Sequence, residues 1–236
     1  MTTAPHLSSA IDAAFESAAD SSRTRVVAGA LSTGAAASAV LIATHPWGER
    51  LSSSADELLS YDVLLRADRD TAWASLLADG FALAVVAVCA SLATCLLARQ
   101  RGRNLALVGS ILTVAGGLLV AMGSSGYATL TWFAMSDGLS EDASMGLITF
   151  INDTPTRLLA PQIAGFLLVS LGGLVLAFAL GRARAVPLTA VVGFVVLTLA
   201  LFAPLPGGGA GRDAVQVLQL ALIASLAVPL WRHAAS

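Results

Sequence analysis

Charge is scarce in this chain, and lysine is missing altogether. Only 12% of its 236 residues are charged, against about 25% in a soluble domain, and all 13 basic residues are arginine. A chain so poor in charge lacks the polar surface to keep a globule in water. The formal net charge of -2 excludes the basic footprint that nucleic acid requires. Cysteine is nearly absent as well: Cys89 and Cys95 stand six residues apart on different faces of any helix, which excludes a disulfide between them, a CxxC pair or a zinc site. The three histidines, His6, His45 and His233, all fall outside the apolar runs, so a helix pair cannot ligate haem. No H-E-x-x-H, P-loop or dinucleotide fingerprint occurs. These absences leave no catalytic residue, no metal site and no cofactor to assign.

What the chain has is hydrocarbon: 56% of its residues are hydrophobic, and the mean hydropathy is +0.80. The stretch from Leu105 to Trp132 is the clearest case, because it is strongly apolar yet carries Gly109, Gly116, Gly117, Gly123 and Gly126. In a helix, Gly109, Gly116 and Gly123 recur every seventh position and form one stripe, with Thr113 upon it. Each glycine would cost a helix in water about 1 kcal/mol relative to alanine. In a bilayer the backbone has no other hydrogen-bond partner, so the helix persists and the glycines become a groove for a neighbour.

Taken in order, residues 1–22 are small, polar and mildly acidic, and predict a disordered cytoplasmic tail. Six apolar runs follow, at about 26–44, 73–98, 104–132, 158–180, 186–202 and 214–231, within one domain covering 23–236. Between the first two, Ser54 and Glu57 have capping-box spacing and predict a short helix on the outer membrane surface, bracketed by Trp47 and Trp73. Residues 136–157 form a second outer connection whose Met145, Leu147, Ile148, Phe150 and Ile151 suit the membrane surface. Arg23, Arg25, Arg99, Arg101, Arg103, Arg182, Arg184 and Arg232 collect on one side of this arrangement, and most acids on the other. Because cytoplasmic loops gather arginine, both termini are expected inside the cell. The expected fold is therefore an all-α membrane protein, a six-transmembrane-helix bundle with short extracytoplasmic surface helices, placed in the cytoplasmic (inner) membrane.

GSILTVAGGL from Gly109 is echoed by GFLLVSLGGL from Gly165. A duplicated three-helix unit would pair the third span with the sixth, so the echo predicts instead two antiparallel neighbours with facing glycine grooves. Gly109, Gly116, Gly123, Gly165 and Gly172 are the expected packing positions, with close approach near Gly116 and Gly172 and axes within about 10 Å.

Candidates for chemistry are few. Asp79 is the sole acid inside an expected span, and such a charge costs several kcal/mol to bury. It reads as a cation or proton site, as the partner of an arginine from the outer loops, or as an interfacial carboxylate that reaches water. Gly123 to Gly126, GSSG, contains the G-x-S-G string of rhomboid proteases, but no histidine is expected beside Ser125 to take its proton. Asp79, Tyr127, Gln162, Gln216 and His45 are the candidate ligand contacts, and Gln219, Ser124 and Thr129 would share a cavity with them or bridge helices.

The layout resembles a group of uncharacterised multi-pass proteins from GC-rich bacteria. The resemblance rests on His45-Pro46 closing the first span, the acidic stretch Ser54 to Leu59, Trp73 opening the second span, and Arg101 to Arg103 before Gly109. It implies the six-helix architecture and transfers no activity. The expected function is that of a non-enzymatic structural or accessory protein that lies in the lipid bilayer and presents its acidic layer to a membrane or extracytoplasmic protein partner. The alternative is a small-solute carrier or ligand-binding bundle, which requires a polar cavity near Asp79 and Tyr127.

Overall fold

The computed structural model describes residues 5–44, 60–66, 68–98, 101–203 and 209–235. Among them every regular element is an α-helix: α1 (Pro5–Thr44), α2 (Tyr61–Arg66), α3 (Arg69–Leu97), α4 (Arg103–Ala134), α5 (Glu141–Asp153), α6 (Pro155–Ala183), α7 (Leu188–Ala200), α8 (Gly209–Ala224) and α9 (Ala227–Ala235). Five segments are long and apolar enough to cross a membrane: 21–44 within α1, α3, α4, α6, and 210–232 across α8 and α9.

The fold is the expected all-helical one, with three corrections. The fifth expected span, 186–202, forms only the 13-residue α7, which reaches about 20 Å and not the roughly 30 Å of a hydrocarbon core. Pro187 starts it, and the chain turns at Leu201 and Phe202. The sixth span is broken at Ser225 and Leu226. Pro229 has no N–H to give the Ser225 carbonyl and its ring crowds that group, so Val228 N–H turns to Ser225 in a tighter bond of 3.1 Å. Finally, the expected disordered tail is helical backbone from Pro5 onward, continuous with the first span. Its many alanines favour helix, and proline is tolerated in a first turn. His45, Trp47 and the Ser54–Glu57 capping pair lie outside the described residues.

Side-chain size is sorted as a bilayer demands. The buried residues of α4 are all Gly, Ala, Ser or Thr except Val120, while Leu107, Ile111 and Met122 point outward, each more than half exposed. In water this would be inverted; in lipid, small residues let backbones approach and large ones meet hydrocarbon. Several buried hydroxyls bond back one turn along their own helix, as Ser91 does to Ala87 O (2.7 Å) and Thr94 to Ala90 O (2.8 Å).

The helices form a closed ring in which α1 packs on α3, α3 on α4, α4 on α6, α6 on α7, α7 on α8, and α8 with α9 returns to α1. The closing seam contains Leu31 and Leu230, both fully buried, with Ala28, Ala35 and Leu220. One end of the ring carries Arg101, Arg103, Arg182, Arg184 and Arg232, and the other is acidic. At the arginine end Gly102 caps α4 with φ +90°, and a Cβ there would lie 2.7 Å from Ala179 O, so glycine alone fits.

The acidic end is tied by short-range polar contacts. Asp68 caps α3, accepting from Asp70 N–H (3.2 Å) and the Thr71 hydroxyl (2.6 Å); the Thr71 bond above all, then Asp70, holds its carboxyl below the usual carboxylate range. Trp132 Nε1 donates to Asp70 (2.8 Å), and the Arg69 guanidinium lies 4.9 Å over the Trp132 ring while donating to Met135 O (3.1 Å). Over this end lie α2 and α5, the second of which is capped by the Ser140 hydroxyl accepting from Ala143 N–H. Ile148 and Ile151 of α5 pack with Leu64 and Ala134, as a surface helix with one apolar face should.

Candidate functional site

The glycine stripe brings α4 and α6 into backbone contact. A Cβ on Gly116 would sit 2.6 Å from Val169 N and 2.7 Å from Gly165 O, and one on Gly165 would sit 2.6 Å from Gly116 O. Gly172 faces Thr113 and Gly109 O, Gly109 faces Leu176, and Gly123 faces Gln162. The expected packing positions are thus all used, but Gly116 meets Gly165 and not Gly172. Antiparallel helices pair the start of one motif with the end of the other, which displaces the contact by about one turn from the like-with-like pairing expected. A second face of α4 serves α3: Gly117 lies against Ala87, and Gly80 against Ser124.

These contacts set the depth of the candidate residues. Asp79 precedes Gly80, Ser124 follows Gly123, and Gln162 lies against Gly123, so Asp79, Ser124 and Gln162 share one level toward the acidic end. All three line a cavity of about 310 Å³ walled by α3, α4, α6, α7 and α8, with Ile42 of α1. Gln216, Gln219, Thr113 and Ser170 add polar groups along its wall, and Phe166, Phe194, Leu176, Leu180 and Val191 make the rest apolar. α7 contributes only as far as Leu201: the Phe202 and Phe166 rings meet at 5.5 Å, one turn short of Gln162.

Among the described residues Asp79 is the only ionisable side chain on this lining. Its Oδ1 is buried with no hydrogen-bond partner, and so is Oγ1 of Thr113, a residue only 4% exposed. Unpaired buried polar atoms are rare and costly; Thr113 Oγ1 lies against Gly172 in the α4–α6 seam, which leaves Asp79 Oδ1 as the unpaired atom at the cavity. Gln219, by contrast, is engaged: its Nε2 donates to Thr198 Oγ1 (2.9 Å), bridging α8 to α7.

Three of the five ligand candidates therefore converge, namely Asp79, Gln162 and Gln216. Tyr127 does not join them; it packs in the outer cluster with Leu64 and Ile148. His45 lies outside the described residues, and Thr129 is exposed. Sequence reasoning missed Thr113 as a cavity group because it also lies on the packing stripe, and missed Phe166 and Phe194 because an apolar residue in an apolar span carries no signal. Ser125 of the GSSG string donates to Ala121 O (2.7 Å), a local helix bond with no base involved. Among the described residues no three His, Cys, Asp or Glu side chains group to hold a metal. No family model, curated protein or solved structure matches this chain.

Proposed function

We propose that this chain is a multi-pass protein of the cytoplasmic membrane that binds a small solute in the cavity beside Asp79, as a carrier or a ligand-binding bundle. The observation that carries this reading is the convergence of Asp79, Ser124 and Gln162 on one mostly apolar cavity within the bundle. A pocket of this size, apolar with a few placed polar groups, is the usual form of a small-molecule site. A bundle built only for support would close such a space, because voids cost packing energy. The arginine end faces the cytoplasm by the positive-inside rule, so Asp79 lies toward the outer face. Arg232 shares that end with Arg101 and Arg182, so the short α7 serves as the return leg between α6 and α8, and both termini are then inside the cell. The acidic layer as a docking surface for a protein partner is the second reading, favoured by Met145 and Phe150, which stay exposed on α5 near Glu141 and Asp142.

The test is calorimetric titration of uncharged 4-phenylbutanol into the protein in phosphatidylcholine nanodiscs, with empty nanodiscs as blank. One saturable site is expected, and Ser170→Trp, which fills the cavity wall, should abolish it. Heats no greater than those of the empty discs would sink the proposal.

A further inference from the structure

The cavity has a polarity along its length that narrows the chemistry of its occupant. At the level of Asp79, a carboxylate, a hydroxyl and a side-chain amide line one space: Asp79, Ser124 and Gln162. Three acceptors are what a primary ammonium group needs for its three N–H donors. Deeper in, Phe166, Phe194, Leu176 and Leu180 offer only hydrocarbon contacts. Among the described residues no basic side chain lines the cavity to neutralise Asp79. Arg69, the other charged side chain on α3 that is a cation, is held at the bundle end by Met135 O and the Trp132 ring. Among the described residues nothing supplies a partner to the buried Asp79 Oδ1, and this is the place an occupant's donor would take.

We infer that the cavity takes an organic monocation, a protonated amine on an apolar body, with the ammonium between Asp79, Ser124 and Gln162 and the body against Phe166 and Phe194. The inference rests on the proposed solute-binding function and specifies its ligand class. Other occupants fit less well. An anion would meet the Asp79 carboxylate with nothing positive to offset it. A bare alkali ion would leave the apolar floor empty, and hard cations take more oxygen ligands than these three side chains give. A neutral alcohol would leave the carboxylate without a counter-charge, which is the costly arrangement inside a bilayer.

Three probes that differ only in their head group separate these cases: 4-phenylbutylammonium, 4-phenylbutanol and 4-phenylbutanoate. They are titrated by calorimetry into the protein in zwitterionic phosphatidylcholine nanodiscs, so that lipid charge does not concentrate the amine. The ammonium is expected to bind about tenfold or more tighter than the alcohol, since a charge-assisted contact replaces a neutral one, and the carboxylate weakest of all. Asp79→Asn should erase the gap of about tenfold between ammonium and alcohol. Asp79→Glu, which keeps the charge, should retain the order and serves if the asparagine variant does not fold. Equal binding of ammonium and alcohol by the unaltered protein, or a preference that survives in Asp79→Asn, overturns the inference and leaves the solute-binding reading standing. Absence of a saturable site for all three probes overturns both.

Discussion

Gly116→Ala destabilises the bundle by about 1–3 kcal/mol, the range of an overpacked core, with the upper part expected here because the obstructing atoms are backbone. The new Cβ would lie 2.6 Å from Val169 N and 2.7 Å from Gly165 O, and neither can move without parting α4 from α6 along their whole contact. Gly126→Ala gives the opposite sign. Nothing lies within 4 Å of a Cβ at that position, so the substitution only adds helix propensity, a gain of up to about 1 kcal/mol. Gly102→Ala belongs with the first case, since both its φ of +90° and the Ala179 carbonyl exclude a side chain. Unfolding in mixed micelles of increasing dodecyl sulfate content measures all three. Equal responses at 116 and 126 would mean that α4 and α6 do not touch as described.

The second large effect is expected at the seam that closes the ring. Leu230→Ala removes a side chain with no exposed surface, wedged among the α1 residues Leu31 and Ala28, and should cost about 2–5 kcal/mol. Val228, two residues away, is half exposed, and Val228→Ala should change stability by no more than about 0.5 kcal/mol. The contrast tests whether the break at Ser225 and Leu226 turns α9 onto α1. A straight helix through that point would rotate the face it presents and bring the two costs together.

How far the sequence could be read follows from which physics each feature obeys. The spans 73–98, 104–132 and 158–180 were legible because a hydrocarbon run of about 20 residues has one stable backbone form in a bilayer; α4 and α6 run past them at both ends, and α3 starts earlier at Arg69 and stops at Leu97. The packing of α4 on α6 was legible from Gly109, Gly116, Gly165 and Gly172, because only small residues permit that approach. Their pairing was not, because an echo read along the sequence ignores the reversal of direction between neighbours. α7 was read as too long, since Leu201 and Phe202 are apolar whether or not they are helical. Leu201 is buried and lines the cavity, whereas Phe202 stays more than half exposed with its ring against Phe166. The broken last span was signalled by Pro229, whose effect falls four residues earlier in the chain.

For the site, Asp79 stood out as the lone acid of a span, and the glutamines as its most polar neutral residues. That Asp79, Gln162 and Gln216 face one cavity while Tyr127 does not depends on helix rotation and depth. Those are set by contacts such as Gly80 on Ser124 and Gly123 on Gln162, which no single span discloses.

The claim on which the rest depends is that water-accessible polar groups sit inside a ring of lipid-facing helices. Single cysteines at Gln162, which lines the cavity, and at Ile111, which faces outward, test it in a background with Cys89 and Cys95 replaced by alanine. A charged, membrane-impermeant thiol reagent is added to intact cells, and modification is read by mass. The account predicts rapid labelling at position 162 and none at position 111; a cysteine at 162 as inert as the one at 111 would contradict it.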